Sequence, residues 1–346
     1  MKLFRLCFEA SYKGLRPFIF FFSKNDPYKA HEWFISSAKL LHSLHLDWVL
    51  LHFRVSDSTS SDSKVELSNA AGFNKNGQIP PTTLKYLGFD RVVVGTVTGD
   101  AWAGNPRPSI VRYSKTGSLV NWQGLPGVGA VAVAQNLAKF GAHGVPLTIN
   151  LMSTPGKKGQ ALLDDLAFTV KATRDLYGVD RFELNISCPN THGSSGGLDA
   201  RKEYQEQLAG MLETVMASKH PHQELDLKIS PDLDDEGMKE LLAVAKKYPV
   251  KRFTVANTTT KHDPGFIVVS PGKGGASGNA VYGRSLATQR LLLEHFPHAK
   301  VIACGGINSL ERARERISIG NVVGIAMYTP LIFEGPKLVR VLRERL

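Results

Sequence analysis

The segment RFELNISCPNTHG, Arg181 to Gly193, joins a strand to a loop that can carry chemistry. Its first half, Arg181–Ile186, is typical of a strand, and the proline, glycine and serine residues that follow predict a loop. Where the strand ends, Cys188 stands between Asn185 and Asn190. A thiol there can act as a base or nucleophile, and the amides can hold a small polar ligand. A lone cysteine is more often an inert buried residue, so the functional interpretation needs support from the rest of the chain.

The same succession of apolar run, polar loop and helical stretch recurs along the main body. About eight such units without an obvious crossover predict a (β/α)8 barrel, a TIM barrel, rather than a doubly wound sheet. No GxGxxG follows an early strand, which argues against a dinucleotide fold. The predicted strands are Arg91–Gly95, Leu147–Leu151, Arg181–Ile186, Leu225–Ile229, Arg252–Ala256, Val301–Ala303 and Val322–Ala326. The predicted helices include Ala161–Leu176, Glu203–Ala217, Asp235–Lys247, Leu286–His295 and Leu310–Ile319.

Polar or glycine residues follow nearly every predicted strand. In a barrel these positions converge on the carboxyl-terminal face, where active sites are built. Any one of them could be a strand-ending cap, but the set as a whole predicts a site. They are Asn69 and Lys75, Gly95 and Thr96, Asn150, Asn185 and Cys188, Lys228, Asn257 and Thr258, Gly305 and Gly306, and Tyr328 and Thr329.

Two features predict what kind of ligand this face binds. Gly305 and Gly306 end the penultimate strand and let backbone N–H groups approach an anion, and the helix start after Thr329 favours negative charge. A phosphate site between the last two loops is common in this barrel. Lys228 alternates onto the same face as Asp226, inside the barrel mouth, where a buried lysine needs an anionic partner. A flavin fits, because its reduced form carries negative charge near N1.

The amino-acid composition limits which classes of protein and of ligand the sequence is compatible with. The 346 residues are 42% hydrophobic and 21% charged, which suits a soluble globular protein. Three scattered cysteines are too few for a disulfide framework or a metal cluster, so we expect no metal. The net charge of +11 suits an anionic ligand, a membrane surface or nucleic acid. Without zinc-finger spacing or an RNA-binding aromatic signature, nucleic acid is the weakest of these three.

The first 55 residues differ from the rest and predict a separate helical segment, with residues 56–346 as the catalytic barrel. The polar stretch Ser56–Lys64 marks the boundary. Charges interrupt the apolar residues of Met1–Ser23, so no run of about 20 apolar residues exists to cross a bilayer. Asp26 and Pro27 signal a helix start, and apolar residues recur behind them at helical spacing. Two short helices with apolar faces and basic flanks suit a membrane-interface anchor, but a helical pair packed on the barrel explains them equally.

The chain resembles the dihydroorotate dehydrogenases, FMN enzymes of pyrimidine biosynthesis, from about Ser68 to the C-terminus. The segments that carry the resemblance are NAAGFNKNG, VGTVTGDAWAGNPRPSIVR, NWQGLPG, NISCPN, LKISPDL, ANTTT, GGASG and CGGI. The resemblance implies oxidation of (S)-dihydroorotate to orotate, with Cys188 as the base at C5 and hydride transfer from C6 to flavin N5. Lys75 and Asn121 join Cys188 as catalytic candidates. The FMN contacts it implies are Ala71, Gly72, Lys75, Thr96, Asn150, Asn185, Lys228, Ser277, Gly278, Gly305, Gly306, Tyr328 and Thr329. The substrate contacts it implies are Lys75, Asn121, Asn185, Asn190, Asn257 and Thr258.

The resemblance leaves two electron acceptors open. The N-terminal helices resemble those of the membrane-bound, quinone-using branch, whereas a cysteine base is expected in the soluble, fumarate-using branch. The basic, aromatic N-terminus favours quinone and a peripheral membrane protein, expected at the cytoplasmic face of a bacterial inner membrane; the alternative is a cytoplasmic enzyme. Two further alternatives are a related flavoenzyme that acts on another pyrimidine and a barrel that has lost catalysis and binds a phosphorylated metabolite. The oligomeric state stays open.

Overall fold

The structure, a computed structural model, describes residues 12, 14–24, 26–47, 65–186, 198–261 and 274–346. The strands are β1 (Glu66–Asn69), β2 (Val92–Val97), β3 (Ile110–Tyr113), β4 (Ser118–Asn121), β5 (Leu147–Leu151), β6 (Val179–Asn185), β7 (Glu224–Ile229), β8 (Val250–Val255), β9 (Gly275–Gly278), β10 (Val301–Cys304) and β11 (Val322–Met327). The helices are α1 (residues 14–22), α2 (Pro27–Ser43), α3 (Pro81–Tyr86), α4 (Ala130–Ala138), α5 (Gly159–Thr173), α6 (Leu198–Ser218), α7 (Asp235–Ala245), α8 (Tyr282–His295), α9 (Leu310–Ile319), α10 (Thr329–Glu334) and α11 (Pro336–Arg345).

Eight parallel strands form the barrel, in the order β1-β11-β10-β8-β7-β6-β5-β2. A bridge between Ser68 and Arg91 brings β1 against the start of β2 and closes the ring. The predicted (β/α)8 barrel is therefore confirmed, with strand β5 and helix α9 at the predicted bounds. Four predicted strand-end residues lie inside their strands: Gly95, Thr96, Asn150 and Lys228. The side chains of the last three can still face a ligand, because alternate residues of a barrel strand point inward along its whole length.

A second, antiparallel sheet of β3, β4 and β9 was not predicted. It pairs Asn121 with Gly275, which are far apart in the sequence. Strand β9, GASG, has small residues with little strand propensity, so the sequence carries no local signal for it. This sheet covers part of the barrel mouth, since it places Asn121 and Gly275 next to Thr258 at the end of β8.

The amino-terminal half of the barrel interior is filled by charged side chains rather than by the branched apolar residues usual in this fold. Asp226 is fully buried between Arg181, 3.5 Å away, and Arg252, 3.0 Å away. Arg181 also donates to Glu66 at 2.8 Å, and Arg91 donates to Glu66 at 3.0 Å. Burial raises the pKa of Asp226 to about 6, although both neighbouring arginines lower it. The ion pairs link four strands and close this end of the barrel.

The N-terminal helices pack on the barrel with one side and expose apolar residues on the other. Asp26 caps α2 by accepting from the Tyr28 N–H at 2.8 Å, as the sequence predicted. The Tyr12 hydroxyl donates to the Ile332 carbonyl of α10 at 2.8 Å, and Ala38 is buried against the core. The exposed apolar side chains are Leu15, Phe18, Phe21, Phe22, Trp33, Leu40 and Leu44. The helical pair is therefore packed on the barrel, and its role as a membrane anchor stays a prediction.

The predicted boundary at residues 55/56, with its connector Ser56–Lys64, lies outside the described residues and stays a prediction. In the described part of the chain, no helix is long and apolar enough to span a membrane.

Candidate active site at the barrel mouth

A row of hydrogen-bonded polar side chains crosses the barrel mouth from β2 to β8. Asn185, the last residue of β6, donates its Nδ2 to Thr96 Oγ1 at 3.2 Å. Asn257 Nδ2 donates to Asn185 Oδ1 at 3.4 Å, and Asn257 Oδ1 accepts from the Thr258 N–H at 3.0 Å. The structure therefore brings together four of the predicted residues, which come from three separate strands. The row can present both donors and acceptors to a planar polar ligand.

Two further predicted substrate residues come from other elements. Lys75 lies in the loop after β1, and burial lowers the pKa of its ammonium to about 8. Asn121 ends β4 and donates its Nδ2 to the Gly275 carbonyl at 3.3 Å. A Cβ on Gly275 would lie 2.0 Å from Thr258 Oγ1, so this glycine lets the small sheet approach the end of β8. A lysine of such low pKa suits binding or proton exchange with an anionic ligand near neutral pH.

Deeper in the barrel, a carboxylate fixes one of the predicted flavin contacts. Asn150 Nδ2 donates to Glu183 Oε1 at 2.6 Å, and the Thr254 hydroxyl donates to the other carboxylate oxygen. Asn150 Oδ1 is buried and has no hydrogen-bond partner among the described residues. Lys228 is only 5% exposed and lines the same small cavity as Glu183. A buried acceptor without a donor in the described part of the chain is the pattern expected where a polar ligand completes the site.

The glycines predicted to cradle a phosphate lie where β9, β10 and α10 meet. A Cβ on Gly306 would lie 2.6 Å from the Gly278 carbonyl oxygen, and one on Gly278 would lie 2.7 Å from Thr329 Cγ2. Gly306 also has a φ of +73°, which side chains disfavour. Ser277 Oγ and Thr329 Oγ1 are hydrogen-bonded at 2.9 Å, and Gly305 follows β10 directly. Only glycine lets these three backbones meet, and close N–H groups and hydroxyls suit an anion.

An aromatic wall connects this site to the N-terminal helices. The Tyr328 ring stands edge-on to Phe73 at 5.7 Å and covers Gly72, where a Cβ would lie 3.3 Å from the ring. Phe73 in turn contacts His31 of α2 at 5.4 Å. Burial raises the pKa of Tyr328 to about 12. The neighbouring Ala71 lines the cavity that holds Lys228 and Glu183.

Cys188 and Asn190 lie outside the described residues, as does the whole of 187–197. The thiol follows Ile186, the last described residue of that segment, by two positions. Its predicted role as base, and the substrate contact of Asn190, therefore stay predictions.

Arg112 is a candidate functional residue that the sequence analysis did not single out. It stands on β3, facing the helical pair, with its guanidinium 4.1 Å from the Phe20 ring. Its Nη2 donates to the Asp26 carbonyl at 3.3 Å, but its buried Nε and Nη1 have no acceptor in the described ranges. Burial lowers the pKa of Arg112. The only sequence signal for it is its position within a segment that carries the family resemblance.

A parallel (β/α)8 barrel with converging polar side chains at its carboxyl face has the architecture of a barrel enzyme. The sequence profile of the family described as dihydroorotate dehydrogenase matches residues 60–346, and the chain belongs to this family. It is 30% identical to a dihydroorotate dehydrogenase (quinone) of Thermosynechococcus vestitus, over 96% of this chain and 94% of that protein. It is 32% identical to that of Acidithiobacillus ferrooxidans, over 97% of this chain and 94% of that protein.

The fold agrees with a solved structure as well. The crystal structure of a DHODH from Eimeria tenella in complex with ferulenol superposes with a TM-score of 0.74 at 23% identity, and the match covers 92% of this chain and 90% of that chain.

Proposed function

We propose that the chain is an FMN-dependent dihydroorotate dehydrogenase that oxidises (S)-dihydroorotate to orotate and passes the electrons to a quinone. The observation that carries the proposal is the polar row of Thr96, Asn185, Asn257 and Thr258 at the mouth. Beneath it lies Asn150 Oδ1, a buried acceptor that no described residue supplies with a donor. The family and the relatives named for a quinone support the same reaction.

The residues present fit a flavin with a phosphate group. Asn150 Oδ1 is an acceptor for a ring N–H, and Lys228 is a buried cation that favours a negatively charged reduced ring. The cradle at Gly278 and Gly306 would hold the phosphate, with Thr329 at its edge. Bound FMN would supply the ring that takes up hydride from C6 of the substrate and releases the electrons to the acceptor.

The substrate would be held by the amides at the mouth and by Lys75. Dihydroorotate is an anion with a flat amide-containing ring, so it matches the donors and acceptors of Asn121, Asn185 and Asn257. Lys75, which is charged below its pKa of about 8, would pair with the carboxylate of dihydroorotate. Cys188, two positions beyond the described end of this segment, is the proposed base that removes the proton from C5. A thiol with an ordinary pKa of about 8.5 needs only modest tuning for this task.

Arg112 and the exposed helical faces support a quinone as the acceptor. The guanidinium of Arg112 has two buried nitrogens, Nε and Nη1, that find no acceptor among the residues the structure describes, and the Phe20 ring lies against it. A quinone has two carbonyl oxygens on an apolar ring and suits both features. Apolar side chains such as Phe18 and Phe21, with Arg16 and Lys24 nearby in sequence, would place this crevice at a membrane surface. We propose a peripheral membrane location on this basis.

The second candidate is a fumarate-using enzyme of the same family, which the cysteine at position 188 favours. A panel assay separates the two. Purified protein should be yellow and should oxidise dihydroorotate with a short-chain quinone at a much higher kcat/KM than with fumarate or NAD⁺. A protein that takes up no FMN would contradict the whole proposal, whereas a preference for fumarate would contradict only the acceptor.

A further inference from the structure

Glu183 is a charged group that neither the substrate row nor the phosphate cradle uses. It stands on β6 two residues before Asn185, and its side chain is 4% exposed. Both of its oxygens are hydrogen-bonded, one by the Asn150 amide at 2.6 Å and the other by the Thr254 hydroxyl. Burying a carboxylate is costly even when it is hydrogen-bonded, which points to a role beyond packing.

The first consequence of Glu183 is the orientation of Asn150. An ionised carboxylate only accepts hydrogen bonds, so the asparagine has to turn its NH₂ group toward Glu183. The other end of the amide, Oδ1, is then the buried acceptor that has no partner within the described ranges. Asn150 alternates onto the same face of β5 as Thr148, which lines the barrel cavity. Glu183 therefore determines that Asn150 turns its Oδ1, and not its NH₂ group, toward the cavity.

The second consequence is electrostatic. Glu183 and Lys228 line one cavity of the barrel, so a negative and a positive charge lie beneath the mouth together. Both charges act on the pKa of the buried Cys304 thiol. Burial raises this pKa most, Lys228 lowers it and Glu183 raises it. In a water-poor interior each charge acts strongly on a neighbouring ring. A carboxylate there opposes the negative charge that a flavin gains on reduction, whereas Lys228 favours it.

We propose that Glu183 is a positioning residue for the flavin ring: it holds Asn150 with its oxygen toward the cofactor, and its charge lowers the reduction potential of the bound flavin. This inference rests on the proposed FMN function and concerns this chain's own residues. The positive charge of Lys228 raises the reduction potential of the flavin, and the negative charge of Glu183 lowers it.

Two variants separate charge from orientation. In Glu183→Gln the side-chain oxygen can still accept from Asn150, but the charge is lost. The midpoint potential should rise by at least about 30 mV, which for a two-electron couple equals a tenfold tighter binding of reduced relative to oxidised FMN. In Glu183→Asp the charge remains but the shorter side chain no longer reaches Asn150. Oxidised FMN should then bind about tenfold more weakly, because one charged hydrogen bond that orders the site is lost.

The measurements are spectroelectrochemical titration and FMN binding to the apoprotein, with circular dichroism to verify folding. Glu236→Gln is the matched control, since this carboxylate lies on α7 and is 60% exposed; the flavin potential of this variant should stay at the wild-type value. An unchanged or lowered potential in Glu183→Gln overturns the electrostatic role, and unchanged FMN affinity in Glu183→Asp overturns the orienting role. If Glu183→Gln does not fold, the Glu183→Asp titration alone decides. Wild-type protein that binds no FMN would instead contradict the proposed function.

Discussion

Replacing Arg112 by methionine tests the proposal that the enzyme uses a quinone, because Arg112 is the residue proposed to bind the quinone oxygen. Methionine keeps much of the aliphatic volume against Phe20 but removes every N–H donor. The guanidinium has two buried N–H groups without an acceptor among the described residues, and at least one would bind a quinone oxygen. A hydrogen bond from a charged group contributes about 1.5–3 kcal/mol, and about 1.4 kcal/mol is a factor of ten. The kcat/KM for quinone should therefore fall about 10- to 150-fold.

Reduction of the flavin by dihydroorotate should stay unchanged in the same variant, because Arg112 lies on the side of the helical pair and not in the substrate row. Anaerobic stopped-flow absorbance measures that step alone, and steady-state turnover with a varied short-chain quinone measures the second. Arg107→Met is the matched control. Arg107 is 64% exposed and lies 3.9 Å from Glu32, and such a surface pair contributes about 0–1 kcal/mol.

Two outcomes would refute the reasoning on Arg112. A quinone kcat/KM within about twofold of wild type would mean that its buried N–H groups do not bind the acceptor. A parallel loss of flavin reduction would mean that the substitution disturbs the barrel mouth instead. Thermal unfolding should show little loss of stability, because the variant also removes a buried cation that has no carboxylate in hydrogen-bonding contact among the described residues.

Four other substitutions test separate parts of the site. Cys188→Ala should keep FMN bound but slow flavin reduction by about 10²–10⁴-fold, and unchanged stopped-flow traces would exclude the thiol as base. The Lys75 ammonium, with its pKa lowered to about 8, loses its proton as the pH rises through that value, so the KM for dihydroorotate should rise above pH 8 in wild type and not in Lys75→Met. Gly306→Ala should weaken FMN binding at least tenfold in an apoprotein titration, because its Cβ would meet the Gly278 carbonyl. Phe18→Ser with Phe21→Ser should reduce sedimentation with anionic vesicles by several-fold while soluble-acceptor turnover stays constant, since each exposed phenylalanine can contribute about 1.5–3 kcal/mol of burial.

The barrel was predictable because its strands are short apolar runs at regular intervals, each followed by a polar loop. The same regularity located Asn185, Asn257 and Gly306 at the mouth, where the structure has them. Strand bounds were less accurate at Thr96, since a polar residue within a barrel strand looks the same in sequence as one that ends the strand. The small sheet was not predicted because GASG has neither alternation nor strand propensity.

Residues whose role depends on distant partners could not be found from the sequence. Glu183 looks like an ordinary charged residue in a strand, and only the fold shows that it meets Asn150 and Thr254. Arg112 gains its significance from helices more than 80 residues earlier in the chain, as its bond to the Asp26 carbonyl shows. The electron acceptor could not be predicted from the sequence either. Cys188 indicates the fumarate-using branch of the family, whereas the N-terminal helices indicate the quinone-using branch.

The charged interior of the barrel also bears on how the strands find their register. A slip by one residue would turn the inward face of β7 outward. A slip by two would preserve the alternation, yet it would bring Lys228 to the place of Asp226, between Arg181 and Arg252. The opposite slip would move Asp226 out of register with Glu183 to the position opposite Asn185, away from both arginines. A buried charge that loses its partner costs about 3–5 kcal/mol, so either error is penalised heavily. The ion pairs thus select one alignment of the sheet, which interchangeable valines, isoleucines and leucines would enforce less strictly.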